Sequence, residues 1–407
     1  MHRTTLATTN RPTGKLLEVF LVFLRLGLTS FGGPVAHLSY FREAFVERRK
    51  WLSEKAYADI VALCQMLPGP ASSQVGMALG LRRAGYPGLL AAWFGFTAPS
   101  VIVLVVFAYG VSAVGDLSEA GWVHGLKAAA VAVVAHAVLG MARALTPDAP
   151  RATIAAGAMI AVLLAPTPWL QVAVIVGAGI VGLLWLRPET QQLEAEDAFP
   201  VRVSKKAGGA FLAIFGLLLV GLPVLVSLTN NAIAGLFDTF YRAGALVFGG
   251  GHVVLPLLET ETVGAGLVDA DTFLAGYGAA QAVPGPLFTF ASFLGTSSTG
   301  ELTGIVGALI ATIAIFLPAM LLTVGALPFW ESLRHNTAAR KAFMGVNAAV
   351  VGILAAALYD PVFTAGVLDI GVSALVLAVA AFVALNNWKI PAWIVVLAAG
   401  ALGWLII

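Results

Sequence analysis

Phe31-Gly32-Gly33 and Pro68-Gly69-Pro70 interrupt two hydrophobic stretches in the first half of the chain, and both interruptions return in the second half as Phe248-Gly249-Gly250 and Pro284-Gly285-Pro286. The neighbouring residues match too: Arg25 and Gln65 have counterparts 217 and 216 residues later, in Arg242 and Gln281. Gly and Pro breaks at corresponding positions of two halves are the best sequence indication of a secondary transporter's binding site. A duplication with unbroken helices would predict only a helical bundle.

The composition is that of a protein whose solvent is lipid. Of the 407 residues, 59% are hydrophobic and only 11% are charged, and the mean hydropathy is +0.92. A water-soluble chain of this length cannot bury so much apolar surface, so we expect it to lie in a bilayer. The net charge of +2 comes without a basic tract, which gives no indication of nucleic-acid binding. The single cysteine, Cys64, excludes an internal disulfide.

Long apolar stretches predict four membrane spans in each half and one between the halves. All are predicted as helices, because an open sheet edge cannot satisfy its backbone in hydrocarbon. The predicted spans are 87–110, 121–143, 151–166 and 168–187 in the first half, 208–229 between the halves, and 303–327, 341–359, 366–386 and 391–407 in the second. The span between the halves has no counterpart elsewhere in the sequence.

The chain therefore divides into five parts. A polar, cytoplasmic N-terminal tail (1–15) precedes a first repeat (16–187), and a charged cytoplasmic linker (188–207) leads into the extra transmembrane helix (208–229). The second repeat follows (230–407). The expected fold is an all-α polytopic membrane protein built from two repeats.

In each interrupted region, the arm on either side of the break is too short to cross a bilayer. The interrupted regions cover 16–50 with 55–83, and 233–262 with 272–299. Arms of about 11–16 residues reach roughly 16–24 Å as helices, less than the ~30 Å of the hydrocarbon core. This favours re-entrant hairpins with tips near the bilayer centre. The alternative treats 16–36 as a full span and 55–83 as one discontinuous span.

Charge predicts that the two repeats have opposite orientations. The segment 37–55 carries five Lys or Arg residues, whereas its counterpart 251–272 carries none. Because basic residues favour the cytoplasmic side, corresponding loops should lie on opposite sides of the membrane. The extra helix 208–229 supplies the odd crossing that inverts the second repeat.

The breaks are suited to binding an anion. Pro34, Pro70 and Pro286 stand where a new helix would begin, a position that proline tolerates. Free N–H groups and the positive end of the helix dipole would then point at each tip, and inverted repeats would bring four tips together. The candidate substrate-binding residues are these tips with nearby cations, amides and hydroxyls: Arg25, Gly32, Gly33, Gln65, Pro68, Gly69, Pro70, Ser72, Ser73, Lys127, Arg242, Gly249, Gly250, Gln281, Pro284, Gly285, Pro286 and Asn347.

Several of these residues have structural alternatives. Arg242 has an acid, Asp238, one turn earlier on its predicted helix, whereas Arg25 has none. Lys127 could extend to a membrane interface, the two glutamines could bridge hairpin backbones, and the serines could cap helices. The histidines show no metal-ligand spacing, and the spans hold no paired acids or nucleophile–base set. We therefore expect neither an enzyme nor a cofactor.

The joint motif resembles the chromate ion transporter family in its long, two-domain form. The similarity rests on Phe31-Gly32-Gly33 with Gln65-Met66-Leu67-Pro68-Gly69-Pro70, and on Phe248-Gly249-Gly250-Gly251-His252 with Gln281-Ala282-Val283-Pro284-Gly285-Pro286. The resemblance implies a bacterial inner-membrane protein that exports chromate, with sulfate as a related tetrahedral oxyanion. The residues alone also allow an anion channel or a carrier of lipid-phosphate headgroups. The sequence is also compatible with a homodimer.

Overall fold

The computed structural model describes residues 12–114, 120–165, 167–187, 203–248, 251–334 and 336–407. Within these ranges the chain forms α-helices with short π and 3₁₀ turns and no strand. Most of the predicted tail, most of the predicted linker and the tip residues Gly249 and Gly250 lie outside the described residues.

The first half contains seven α-helices within its described residues. They are α1 (Pro12–Thr29), α2 (Gly33–Arg42), α3 (Glu54–Met66), α4 (Ala71–Val114), α5 (Gly121–Leu145), α6 (Ala149–Leu164) and α7 (Pro168–Trp185). A π turn, Glu43–Arg48, continues α2. The long α4 is two helices in one, because Ala84 (φ −139°) and Gly85 (φ 69°) leave helical geometry. This break falls where the sequence predicts the second interrupted region to end and the first span to begin.

The second half repeats this order after one extra helix, α8 (Lys205–Thr229). Its helices are α9 (Ala232–Leu246), α10 (Val254–Thr262), α11 (Ala270–Ala282), α12 (Phe290–Ser297), α13 (Gly304–Ala326), α14 (Trp330–Arg334), α15 (Thr337–Ala357), α16 (Val372–Asn386) and α17 (Ala392–Ile406). Short 3₁₀ turns precede α10 and α12, and a π turn, Leu358–Leu368, follows α15. In sequence position, α9 to α13 correspond to α1 to α4, and α15 to α17 correspond to α5 to α7.

Five helical stretches of the described chain are long and apolar enough to cross a membrane: Ala71–Ala113, Gly121–Leu145, Lys205–Thr229, Gly304–Leu333 and Thr337–Leu368. The helices α6, α7, α16 and α17 contain shorter apolar stretches. The extra helix α8 is peripheral, since almost none of its apolar stretch is buried in the protein. The prediction of an all-α polytopic membrane protein is confirmed. The opposite orientation of the repeats stays a prediction from the charge pattern.

The two halves interleave instead of lying side by side. Helix α5 of the first half packs on α16 and α17 of the second half. Helix α15 of the second half packs on α6 and α7 of the first half. Glycines permit both contacts: a Cβ at Gly125 of α5 would collide with the backbone of Ala399, and a Cβ at Gly345 of α15 would collide with that of Ala178. Small residues let membrane helices approach closely in this way. The core of the molecule therefore lies between the halves.

Candidate functional site

The chain doubles back at the interruptions. In the first half the ring of Phe23 on α1 lies 5.5 Å from that of Phe41 on α2. In the second half the rings of Phe273 on α11 and Phe290 on α12 are 5.2 Å apart. The pairs α3 with α4 and α9 with α10 are likewise in contact. The interrupted regions are thus four helical hairpins, and their crossing of the membrane stays a prediction.

Two backbone hydrogen bonds join the hairpin tips across the halves. The N–H of Gly69 donates to the carbonyl of Val247 at 2.7 Å, and the N–H of Gly285 donates to the carbonyl of Ser30 at 2.9 Å. The two bonds occupy corresponding positions of the repeat. Both glycines have positive φ, +114° and +101°, which only glycine adopts without strain. The tips of different halves therefore meet, as the sequence predicts.

The tip before α2 begins a helix as predicted. Gly32 and Gly33 have φ of 100° and 76°, and Pro34 stands in the first turn of α2. No side chain caps this helix, so the first-turn N–H groups face outward with the positive end of the dipole. Pro70 directly precedes α4, and Pro286 directly precedes the 3₁₀ turn that leads into α12.

A cavity of about 290 Å³ opens at the tip of α2. Apart from glycines and apolar side chains, its described lining consists of two histidines, one glutamine and one lysine: His136, His252, Gln281 and Lys389. These groups come from α5, the turn before α10, α11 and the segment between α16 and α17. None of the described lining residues carries a carboxylate. The cavity therefore combines a helix N-terminus with side chains that can donate hydrogen bonds, which is the chemistry of an anion site.

Two of these side chains have unused hydrogen-bonding capacity. The Nε2 of Gln281 and the Nδ1 of His136 are buried without a partner in the described part of the chain. A buried polar atom left unpaired costs about 1–3 kcal/mol, which a bound ligand would offset. The Nδ1 of His252 lies 3.0 Å from the hydroxyl of Tyr277, which fixes the ring. Lys389 is exposed and can reach an ion that enters the cavity.

Four of the predicted site residues line this cavity, namely Gly32, Gly33, Gln281 and Gly285. The sequence analysis missed Lys389 and found no ligand pattern among the histidines. Lys389 did have a signal, because it is the only Lys or Arg after Lys341. His252 stands at the end of the quoted glycine motif, but nothing in the sequence placed His136 beside it.

Arg242 lies outside the cavity, where two carboxylates hold it. Its guanidinium is 3.0 Å from Asp238 and 3.0 Å from Glu261. The pairing with Asp238 that the sequence offered as an alternative is confirmed, and Glu261 is an addition from the other arm of the hairpin. The counterpart, Arg25, is exposed and lines a separate cleft of about 130 Å³ together with Arg48 and Arg49.

The other predicted cation and its counterpart also lie outside the cavity lining. Lys127 is buried and forms a 2.5 Å ion pair with Asp271, so it does not extend to an interface. Asn347, half-buried on α15, and Gln65, exposed on α3, are absent from the lining.

The polar groups around the first Pro-Gly-Pro serve the hairpin. The Oγ of Ser72 lies 3.3 Å from the Nδ1 of His37. Ser73 is buried next to it in α4, and its hydroxyl has no partner in the described part of the chain. The carbonyl of Pro68 accepts a 2.8 Å hydrogen bond from Gln74. In the second half the carbonyl of Pro284 accepts one from the hydroxyl of Ser100.

The fold and the cavity define a polytopic helical membrane protein with an internal site suited to an anion. The family model described as "Chromate transporter" matches residues 17–183 and again residues 234–404. The chain belongs to the chromate transporter family.

Relatives match over most of their length. The chromate transport protein of Pseudomonas aeruginosa is 28% identical over 396 residues, which is 96% of this chain and 92% of the relative. That of Cupriavidus metallidurans is 26% identical over 353 residues, 85% of this chain and 82% of the relative. An uncharacterised transporter of Methanocaldococcus jannaschii is 27% identical over 403 residues, 98% of this chain and 96% of the relative. No solved structure matches the chain.

Proposed function

We propose that the protein carries chromate across the bacterial plasma membrane and that the cavity at the tip of α2 is its binding site. The observation that carries the proposal is the cavity lining: a helix N-terminus, Lys389, two histidines and Gln281 surround a space without a described carboxylate. Chromate is a tetrahedral dianion, which such donors bind well. Two relatives that match most of the chain are named chromate transport proteins. Sulfate has the same shape and charge, so it should compete for the site.

Transport would proceed by alternating access of two inverted repeats. The tips meet through the Gly69–Val247 and Gly285–Ser30 hydrogen bonds, so each bond crosses from one repeat to the other. Rocking of the repeats about these contacts would open the cavity first to one side and then to the other. Inverted orientation and rocking rest on the charge pattern and the duplication.

The direction we propose is export. The basic segment 37–55 places its end of the first repeat in the cytoplasm by the positive-inside rule, along with the N-terminal tail. Arg25, which is exposed, lies in a cleft with Arg48, Arg49 and Glu43 of that segment. Glu43 pairs with Arg48, so the cleft keeps an excess of positive charge that would attract anions from the cytoplasm. An inside-negative potential of 100 mV favours outward movement of a dianion by about 4.6 kcal/mol, so export would run downhill.

The test is uptake of labelled chromate into inverted membrane vesicles. We expect saturable uptake that sulfate inhibits. Lys389→Gln should raise the half-saturating chromate concentration about tenfold, as loss of roughly 1.4 kcal/mol of binding requires. The matched control is Lys206→Gln, which removes an exposed lysine at the start of α8 and should leave uptake unchanged.

Three outcomes would contradict the proposal. Uptake no greater than in vesicles without the protein would show that chromate is not its substrate. An unchanged half-saturating concentration in Lys389→Gln would show that the cavity at the tip of α2 is not the binding site. Flux that neither saturates nor responds to chromate on the opposite side would indicate a channel.

A further inference from the structure

A second charged site lies in the α9–α10 hairpin, outside the lining of the cavity at the tip of α2. Arg242 of α9 bonds Asp238 of the same helix and Glu261 of α10. The side chains of Asp238 and Glu261 are only 6% and 14% exposed, and that of Arg242 is 22% exposed. With both acids ionised, the cluster carries one negative charge in excess.

The cluster borders a small cavity, and several buried polar atoms in and beside it have no hydrogen-bond partner among the described residues. The cavity measures about 130 Å³ and is lined by Arg242, Glu261, Thr260 and Gln171 of α7, among apolar side chains. The Oε1 of Gln171, a residue only 3% exposed, has no partner in the described part of the chain. The Oδ1 of Asp238, a residue 4% exposed, is likewise unpaired and buried. The Nε of Arg242 is a buried donor that is also unpaired in the described part of the chain, so the cluster combines an excess negative charge with two unused acceptors and one unused donor.

The duplication shows that the acids are not required by the hairpin itself. Arg242 corresponds to Arg25, 217 residues earlier. At the same offset, Asp238 and Glu261 correspond to Leu21 and Ala44. The first half therefore builds its hairpin with the arginine but without either carboxylate. Among the described residues Arg42 also bonds two acids, Glu47 and Glu54, but those side chains are about half exposed, unlike the buried Arg242 cluster.

We propose that the Asp238–Arg242–Glu261 cluster binds one proton and couples its movement to that of the transported anion. This inference rests on the proposed function. A buried cluster with unequal charges is costly, and one added positive charge makes it neutral. A metal ion would have to approach the guanidinium that already lies between the carboxylates, whereas a proton adds to a single oxygen. The unpaired Oδ1 of Asp238 is the atom placed to take it.

Access and release require only the motion already proposed. The proton comes from water on one side, forms an O–H bond at the carboxylate and returns to water on the other side as the hairpins move. The other titratable groups on the packed elements are Lys205 and Lys206 at the start of α8, Tyr241 of α9, His252, Glu259 of α10, Asp271 and Tyr277 of α11, Arg340 and Lys341 near the start of α15, and Asp360 after α15. Asp271 is bound by Lys127 and Glu259 lies near Asp360, while α7 and α8 present uncharged residues to the cavity and α13 contains no charged residue.

The experiment uses the purified full chain in liposomes that contain a pH-sensitive dye, with the membrane potential clamped by potassium and valinomycin. Chromate is added in alkaline buffer, where it is fully deprotonated, and sulfate serves as a second, non-titrating anion. We expect anion movement to change the internal pH, and the reversal potential to shift with an imposed pH gradient. Glu261→Gln and Asp238→Asn should lower the number of protons moved per anion at least tenfold.

The matched control is Glu301→Gln, which removes an exposed acid of the same half and should leave the ratio unchanged. Each variant is checked for a single folded species by size-exclusion chromatography. If both cluster variants fail this check, the pH response of the unmodified protein still decides whether protons move.

The outcomes separate this inference from the function on which it rests. Absence of chromate uptake would overturn the proposed function. Chromate uptake without proton movement would overturn the proton site alone. Proton movement that persists in both folded variants would place the coupling elsewhere in the molecule.

Discussion

Single residues show how the protein handles charge in an apolar surrounding. Lys127 and Arg242 are both paired with acids, whereas Lys389 is exposed at the rim of a cavity that lacks a described carboxylate. In a low-dielectric interior, each charge of an ion pair compensates the other, so neither is buried alone. A cation without an acidic partner at the edge of a cavity attracts an anion. The same residue type therefore neutralises a buried acid in one place and, in the function proposed above, attracts the substrate in another.

The Lys127–Asp271 pair gives a test at this scale. Lys127→Met leaves the carboxylate of Asp271 beside an apolar group, and we expect a loss of about 2 kcal/mol in unfolding free energy, since Asp271 is partly solvated. The double variant Lys127→Met with Asp271→Asn should be more stable than the single one. Unfolding in detergent by pulse proteolysis measures both, with Lys205→Met as the control. A double variant that is less stable than Lys127→Met would contradict the ion-pair account.

Helices in this protein associate through glycine. Gly125 of α5 faces α17, and a Cβ there would overlap the carbonyl of Ala399. Gly140, on the same helix, has nothing within 4 Å of the position a Cβ would take. The two glycines therefore separate the effect of helix packing from that of helix propensity.

Substituting each glycine with alanine should give opposite results. Gly125→Ala must push α17 away, and overpacking of this kind costs about 1–3 kcal/mol. Gly140→Ala should be neutral or stabilise the protein by about 0.5–1 kcal/mol, because glycine is a poor helix residue. The thermal unfolding midpoint in detergent measures both. Equal effects would show that α5 does not depend on this close approach.

At the scale of the whole molecule, the interleaved helices make the halves depend on each other. The main partners of α5 belong to the second half, and those of α15 belong to the first. Either half alone would expose the small-residue faces that now pack together.

Cutting the chain within the predicted linker 188–207 tests this dependence. We expect fragments divided at about residue 195 to be degraded when expressed singly and to purify together when co-expressed. Copurification of tagged and untagged fragments, with helix content measured by circular dichroism, gives the result. A single fragment that accumulates as one monodisperse helical species would refute the interdependence.

Local chemistry made much of the fold predictable. The hairpin breaks, the end of the second interrupted region near residue 83 and the meeting of the tips follow from Gly and Pro positions and from the duplication. The sequence also offered the Arg242–Asp238 pair, because the two residues lie one helical turn apart. Contacts between distant elements were not predictable: Lys127 meets Asp271 across 144 residues. The cavity gathers His136, His252 and Lys389 from three separate elements, so no spacing in the sequence marks it.

The packing of α5 against helices of the second half also has a consequence for how the protein is made. Translation reaches the end of α5 at Leu145 long before it reaches the end of α17 at Ile406. At about 5–20 residues per second, the ribosome needs roughly 13–50 s for the intervening stretch. During that time the glycine-lined face of α5 is in the bilayer without its final neighbour. Lipid or the insertion machinery must cover that face until α17 arrives, so this contact between the halves cannot form before α17 has been synthesised.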